Sequence, residues 1–207
     1  MAINNTSLFL IAIFVVLGTS QVLAARQRQV TVTTGRQAYT QWVTCNVDNI
    51  CDEVSISAYE QDTRTGGPGR PHETPTQSYL YYYHYHYDQP AGTYTVNWLQ
   101  QNTPLTGFTY ARNGRSASLV MSGLVDNNGN NVALNVTWDG VIYNSECDCK
   151  TISHGGPVSF TTTSDSASIQ TNVTGSVTDS SVVYTSVNSN GWLYDYGAKE
   201  TVFTYHN

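Results

Sequence analysis

Residues 79–87 read Tyr-Leu-Tyr-Tyr-Tyr-His-Tyr-His-Tyr, and tyrosine fills every odd position of this run. Such a density of aromatic side chains is typical of a β-strand, and successive side chains of a strand point to opposite faces. Five tyrosines therefore share one face of the predicted strand: Tyr79, Tyr81, Tyr83, Tyr85 and Tyr87. Because tyrosine has a broad apolar body and a hydroxyl that needs a partner, this face either packs inward as an aromatic layer of the core or meets a ligand.

The rest of the chain beyond its first 24 residues also follows a strand pattern. Val54, Ile56 and Ala58 alternate with polar neighbours, and no helical period appears. Segments rich in Val, Thr, Tyr and Ile predict strands at residues 29–34, 38–44, 53–60, 78–88, 92–99, 108–112, 116–125, 131–141, 158–163, 167–177, 181–187, 191–196 and 201–206. Strands at such regular spacing predict an all-β fold, an antiparallel β-sandwich of jelly-roll or immunoglobulin-like general architecture.

The first 24 residues carry no charged side chain, and residues 8–17 are all apolar. This apolar segment is too short to cross a bilayer, and small residues end it at Ala24. The pattern predicts a secretory signal peptide at residues 1–24, cleaved after Ala24, followed by a single domain over 25–207. A retained membrane anchor stays open as an alternative, since no Lys or Arg precedes the apolar segment. After cleavage we expect a secreted protein with no membrane association.

Charged residues make up only 12% of the chain, and the net charge is −6. Hydroxyl and amide side chains replace ions at the predicted surface, as is typical of extracellular β-proteins. No basic stripe is present, so the sequence gives no support to a nucleic-acid partner.

The four cysteines are Cys45, Cys51, Cys147 and Cys149, and they indicate disulfides formed in an oxidising compartment. Two cysteines two positions apart on a strand have Cα atoms about 6.6 Å apart, near the upper limit for a disulfide. The spacing therefore favours two bridges from the Cys45/Cys51 segment to the Cys147/Cys149 segment. Each would close a loop of about 100 residues. A four-thiolate zinc site is the alternative, although the first pair is spaced more widely than usual.

Two Asn-Val-Thr sequences, at Asn135 and Asn172, are acceptors for N-glycosylation in a eukaryotic secretory pathway. In the strand around Asn135, Val132, Leu134 and Val136 share one face. Asn135 therefore lies on the opposite face, which we expect to be solvated.

His84 and His86 are the strongest metal-ligand candidates in the sequence. At positions i and i+2 of a strand their imidazoles project to one side about 7 Å apart, and Asp88 shares that face as a third ligand or an orienting group. Copper or zinc is the natural choice for such a site. The plainer interpretation is that both histidines point outward from a strand whose odd tyrosines pack inward.

No nucleophile, zinc-protease or phosphate-binding motif is present in the sequence. Glu60, Asp62 and Glu73 are the nearest carboxylate group for glycoside hydrolysis, and their spacing alone is not specific. A binding or structural role is therefore favoured over catalysis, and no cofactor is expected other than copper or zinc at the histidines.

Three functions stay open at this point. A secreted carbohydrate-binding protein predicts that the odd tyrosines, or the four tryptophans Trp42, Trp98, Trp138 and Trp192, are exposed on one surface. A structural or adhesive surface protein predicts that these rings are buried. A copper- or zinc-dependent secreted enzyme predicts that His84 and His86 converge on a third ligand. The exposure of Tyr83 and Tyr85 separates the first two.

Overall fold

The computed structural model describes residues 26–66, 72–73, 77–102, 104–155, 158–186 and 189–205. The predicted signal peptide at 1–24 lies outside these residues. No helix in the described ranges has the length and apolar character needed to cross a membrane.

All regular structure in the described residues is β-strand. The strands are β1 (Arg26–Cys45), β2 (Ile50–Gly66), β3 (His72–Glu73), β4 (Gln77–Asp88), β5 (Thr93–Gln101), β6 (Phe108–Tyr110), β7 (Ala117–Val125), β8 (Asn131–Gly155), β9 (Val158–Asp179), β10 (Val182–Thr185) and β11 (Ser189–Tyr205). They form one sheet in the order β5-β4-β2-β1-β11-β9-β8-β7-β6, while β10 pairs with β9 and β3 with β2. Every pairing is antiparallel.

The predicted all-β antiparallel class is confirmed, while the sandwich is not. All described strands share one hydrogen-bonded sheet, which curls into a half-barrel instead of dividing into two layers. The physical cause is the alternation along each strand. Val54, Ile56 and Ala58 of β2 are buried, as are Val132 and Leu134 of β8, and all belong to one cluster. A sheet with one continuous apolar face buries it by curling until its two halves meet.

Polar contacts join the two halves of the curled sheet near the edge strand β5. The Asn127 amide donates to the Trp98 carbonyl (2.8 Å), and the Trp98 amide donates to Asn127 Oδ1 (2.6 Å). Asn127 lies in the turn between β7 and β8. This turn occupies backbone groups that an edge strand would otherwise present to solvent.

The predicted pairing of the cysteines is wrong. Cys45 bonds to Cys51, and Cys147 bonds to Cys149. Cys45 and Cys51 face each other across the β1–β2 hairpin with Cα atoms 4.0 Å apart. The turn alone brings these two together, whereas Cys147 and Cys149 lie on β8, separated from β1 by β9 and β11. The Cys147 and Cys149 Cα atoms are 5.8 Å apart, closer than an ideal extended strand would place them.

The predicted facing of the Asn135 strand is confirmed. Val132, Leu134 and Val136 are buried, whereas Asn135 is exposed. Asn172 is exposed as well, so both acceptor side chains are accessible. Their glycosylation stays a prediction.

Candidate functional site

The odd tyrosines of β4 lie on the outer face of the curled sheet. Each is partly exposed, whereas Leu80, Tyr82 and His84 between them are buried. The interpretation that these tyrosines pack inward as a core layer is therefore wrong. The even-numbered residues of β4 face the core because they lie beside the buried residues of β2. Across the two strands, the pairs are Val54 with His84, Ile56 with Tyr82, and Ala58 with Leu80.

The rings of three of these tyrosines are nearly parallel. The centroids of Tyr83 and Tyr85 are 6.2 Å apart with 13° between the ring planes, and those of Tyr85 and Tyr87 are 5.9 Å apart with 14°. The repeat follows the two-residue period of the strand. The strand thus displays three like-oriented phenol rings in a row.

Aromatic residues of the two neighbouring strands extend this row sideways. On β5, Trp98 lies opposite Tyr83 and is 42% exposed, and Tyr94 lies opposite Tyr87 and is 68% exposed. On β2, Tyr59 lies opposite Tyr79, and their rings stack at 4.7 Å with 5° between planes. We call the whole set the tyrosine face. Its members are Tyr59, Tyr79, Tyr81, Tyr83, Tyr85, Tyr87, Tyr94 and Trp98.

Three members of this set were not among the predicted ligand-binding tyrosines. Tyr94 and Trp98 have the same parity in the alternating segment after the short turn at residues 89–92. Because a short turn fixes the register of a hairpin, that alternation was the signal that would have placed them beside the predicted tyrosines. Tyr59 carries no such signal, since no short turn joins β2 directly to β4.

A hydrogen-bond network fixes the β2 end of the tyrosine face. The hydroxyls of Tyr59 and Tyr196 lie 2.8 Å apart, and both donate to Oε1 of Gln61, at 2.5 and 2.8 Å. Burial and the Tyr196 hydroxyl raise the pKa of Tyr59 well above its usual range. The Tyr196 ring lies directly over Gly35 of β1, at a place where no Cβ would fit. The glycine therefore allows Tyr196 to reach across β1 to β2.

The four tryptophans do not share one surface. Trp42 and Trp138 are buried in the core, and Trp138 Nε1 donates to the Tyr39 carbonyl at 2.9 Å. Trp98 belongs to the tyrosine face. Trp192 is partly exposed on β11, with its ring 6.2 Å from that of Tyr194. The exposed aromatic surface is therefore made mainly of tyrosine.

The two predicted metal-binding histidines converge on a carboxylate that sequence reasoning did not single out. His84 Nε2 lies 2.9 Å, and His86 Nδ1 2.8 Å, from Oδ1 of Asp52 on β2. His84 is 5% exposed, so the interpretation that it points outward is wrong. Asp88 does not join them, because its Oδ1 accepts a hydrogen bond from the Ala91 amide in the following turn.

Both imidazoles contact the same carboxylate oxygen, Oδ1 of Asp52, while the other ring nitrogen of His84, Nδ1, is buried without a hydrogen-bond partner. Among the described residues, no three His, Cys, Asp or Glu side chains are arranged to hold a metal ion. The copper or zinc site therefore gains no support from the geometry around His84 and His86.

Comparison with known proteins identifies no family. No family model and no curated protein matches the chain. Among solved structures, the crystal structure of a candidate AttH from Nitrosomonas europaea is similar over 88% of this chain, with 9% sequence identity and a TM-score of 0.25. The chain covers 52% of that protein. A similarity at this level says nothing about function.

Proposed function

We propose that the protein is a secreted, non-catalytic binding protein whose tyrosine face binds insoluble neutral polysaccharide. The observation that carries the proposal is the placement of the odd β4 tyrosines on the outer surface, partly exposed and with nearly parallel rings. Sugar rings present apolar C–H faces with hydroxyls at their edges. A phenol ring matches both, since it offers an apolar face for stacking and a hydroxyl for hydrogen bonding.

The breadth of the tyrosine face supports a polymer surface as the ligand. The face spans β2, β4 and β5, with Tyr59 on one side of the β4 row and Trp98 on the other. A single small sugar would need a concave pocket, which buries most of its surface. A row of rings on an outer surface instead fits a polysaccharide whose sugar units repeat along the row. Neighbouring chains of the same insoluble polymer can contact the rings of β2 and β5 on either side.

The charge of the tyrosine face supports a neutral polymer. Its eight members are uncharged side chains at neutral pH. On the adjoining outer side of β2, Glu53 pairs with Tyr85, and its Oε1 accepts a 2.6 Å hydrogen bond from Gln41. A carboxylate there disfavours an acidic polymer.

The disulfides support an extracellular location for the protein, because disulfides form and persist in oxidising compartments.

Two alternatives from the sequence have weaker support. A structural or adhesive protein without a ligand predicts buried aromatics, and the tyrosine face is partly exposed. A metal-dependent enzyme predicts a third ligand beside His84 and His86. Asp52 lies there, but its Oδ1 is hydrogen-bonded to both rings, and no group of three such side chains among the described residues is arranged to hold a metal ion.

A pull-down on insoluble polysaccharides tests the proposal. The protein is compared with Tyr83→Ala and Tyr85→Ala on cellulose, chitin and a cross-linked acidic polymer. The matched control is Tyr143→Ala, which removes a 55% exposed tyrosine on β8, away from the tyrosine face. We expect binding to a neutral polymer, lost in the two β4 variants and kept in the control, with unchanged thermal midpoints. If no neutral polymer retains the protein, or if the β4 variants bind as well as the control, the proposal is wrong.

A further inference from the structure

The second half of β8 forms an edge of the curled sheet. Its pairing with β7 ends at Trp138, and from Val141 onward β9 is the strand paired with it among the described residues. Every side chain from residue 141 to residue 150 is exposed. Cys147 and Cys149 lie in this segment, so both cysteines of their disulfide are open to solvent.

The two disulfides differ in the exposure of their cysteines. Cys45 is exposed, but its partner Cys51 is only 4% exposed. A thiolate that attacked Cys45 would release the Cys51 sulfur as a thiolate at a buried position, and burial disfavours that charged form. At Cys147 and Cys149 either sulfur can be attacked and the other released into water. The bond on β8 is therefore the more reactive one toward an external thiol.

The Cys147–Cys149 bond contributes little to holding the fold together. Its cysteines are two positions apart on one strand, and they pair with Ser166 and Ser164 of β9. This strand pairing holds both cysteines in place with or without the bond. Because the bond closes a very short loop, it also constrains the unfolded chain little. The disulfide can therefore open while the fold stays intact.

An open groove of about 550 Å³ lies beside this disulfide, and Cys147 forms part of its lining. The groove is also lined by four carboxylates: Glu146, Asp148, Asp165 and Asp195. Arg36 of β1 lies opposite Asp195 and offsets one of these charges. Among the described residues no lysine or arginine lines the groove, and Lys150 lies beyond it, next to Cys149. The net charge around Cys147 is negative, so a positively charged reactant is attracted to it and a negatively charged one is repelled.

We propose that Cys147–Cys149 is a thiol–disulfide exchange site that accepts electrons from positively charged thiols. The thiolate sulfur of the partner attacks Sγ of Cys147, the cysteine that lines the groove, and bonds to it. The Cys147–Cys149 bond breaks, and its electron pair leaves on Sγ of Cys149. A second thiolate then attacks the partner's sulfur in this mixed disulfide and releases Cys147 as a thiolate. The partner leaves as a disulfide, oxidised by two electrons, and the two cysteine thiolates take up the two protons that the partner thiols lost.

Thiol exchange measured on the folded protein tests this site. The protein is incubated at low ionic strength with cysteamine, 2-mercaptoethanol or 3-mercaptopropionate at equal thiolate concentrations, and new cysteine thiols are alkylated and located by mass spectrometry. We expect the Cys147–Cys149 bond to open at least about tenfold faster than the Cys45–Cys51 bond, which serves as the internal control. Cysteamine, which carries an ammonium group, should react fastest, and mercaptopropionate, which carries a carboxylate, slowest. Salt at about 1 M should remove this order, because it shortens the Debye length to about 3 Å.

A pair of matched variants tests the role of the carboxylates. Asp148→Asn removes one charge of the groove and should lower the preference for cysteamine over mercaptopropionate at least about threefold. The control Asp139→Asn changes an exposed carboxylate earlier on the same strand and should keep the preference. The unfolding temperature of the parent protein should be the same before and after the Cys147–Cys149 bond opens.

Several outcomes overturn the proposal. They are opening of the Cys45–Cys51 bond at the same rate, equal rates for the three thiols at low salt, or a lower unfolding temperature once Cys147–Cys149 has opened. Recovery of Cys147 and Cys149 as free thiols from protein expressed into an oxidising compartment would overturn it as well. Tyr85→Ala should react like the parent protein, so the test is independent of the polysaccharide proposal.

Discussion

Tyr82 and Asp179 are 97 positions apart in the chain, and the Tyr82 hydroxyl donates a 3.0 Å hydrogen bond to Oδ2 of Asp179. The same oxygen accepts a 3.0 Å bond from the Asn97 side chain and lies 3.4 Å from His84 Nδ1. Tyr82, His84 and Asn97 belong to β4 and β5, whereas Asp179 ends β9 in the other half of the sheet. This buried carboxylate therefore joins the two halves of the curled sheet.

Asp179→Ala should destabilise the fold by about 3 kcal/mol, because it leaves the buried Tyr82 hydroxyl and the half-buried Asn97 amide without this acceptor. Tyr82→Phe should cost about 1.5 kcal/mol, since Asn97 still contacts the carboxylate. Urea unfolding followed by circular dichroism measures both. The control is Tyr81→Phe, the same change on the outer face, which should stay within about 0.5 kcal/mol. Equal losses for Tyr81→Phe and Tyr82→Phe would contradict this role of Asp179.

The local pattern of β4 was predictable from the sequence, but its orientation was not. Alternation at residues 79–87 placed the five tyrosines together, and the structure keeps them together. Which parity faces inward depends on how β4 pairs with β2, and that pairing is not set by a short turn between the two strands. The roles of Asp52 and Asp179 could not be predicted for the same reason. Their partners, a histidine and a tyrosine, lie on another strand, and the sequence around each carboxylate carries no information about that contact.

Gly35→Ala should destabilise the protein by about 1–3 kcal/mol, because the added methyl group collides with the Tyr196 ring. Displacing that ring also breaks its hydrogen bonds to Tyr59 and Gln61. A double-mutant cycle with Tyr196→Ala isolates the effect. In the Tyr196→Ala background the Gly35→Ala substitution should cost less than about 0.5 kcal/mol. If Gly35→Ala lowers the free energy of unfolding equally with Tyr196 present and with Tyr196 replaced by alanine, the added methyl group does not act through the Tyr196 ring.

Replacing Cys45 and Cys51 together by serine should lower the free energy of unfolding by only about 2 kcal/mol, because a bond with a sequence separation of 6 closes a short loop. A bond between the two cysteine segments would contribute about 4.7 kcal/mol by the same relation. Urea unfolding distinguishes the two values.

The disulfide pairing has a direct check as well. Cleavage before Asp48 and Asp148 without reduction should leave the Cys45 peptide joined to the Cys51 peptide, and the Cys147 peptide joined to the Cys149 peptide. Recovery of Cys45 joined to Cys147 or Cys149 in mass spectrometry would contradict the local pairing.

Alkaline pH should destabilise the protein through its buried phenols. Burial, with Asp52 and Asp179 nearby, raises the pKa of Tyr184 from 10.0 to about 12. Since the folded-state pKa lies above the unfolded value, the stability linked to protonated Tyr184 is fully present below pH 10. It is lost as pH rises from 10 to about 12.

The unfolding temperature of the protein should therefore decrease as the pH is raised from 10 to about 12. The unfolding temperature of the Tyr184→Phe variant should decrease less steeply, because phenylalanine has no proton to lose. The matched control is Tyr143→Phe, an exposed tyrosine of β8, whose slope should equal that of the parent protein. Burial also raises the pKa values of Tyr82 and Tyr110. The unfolding temperature of both variants should therefore still decrease with pH to some extent. If Tyr184→Phe and Tyr143→Phe lose stability in parallel across this window, the Tyr184 hydroxyl is not held protonated by the fold.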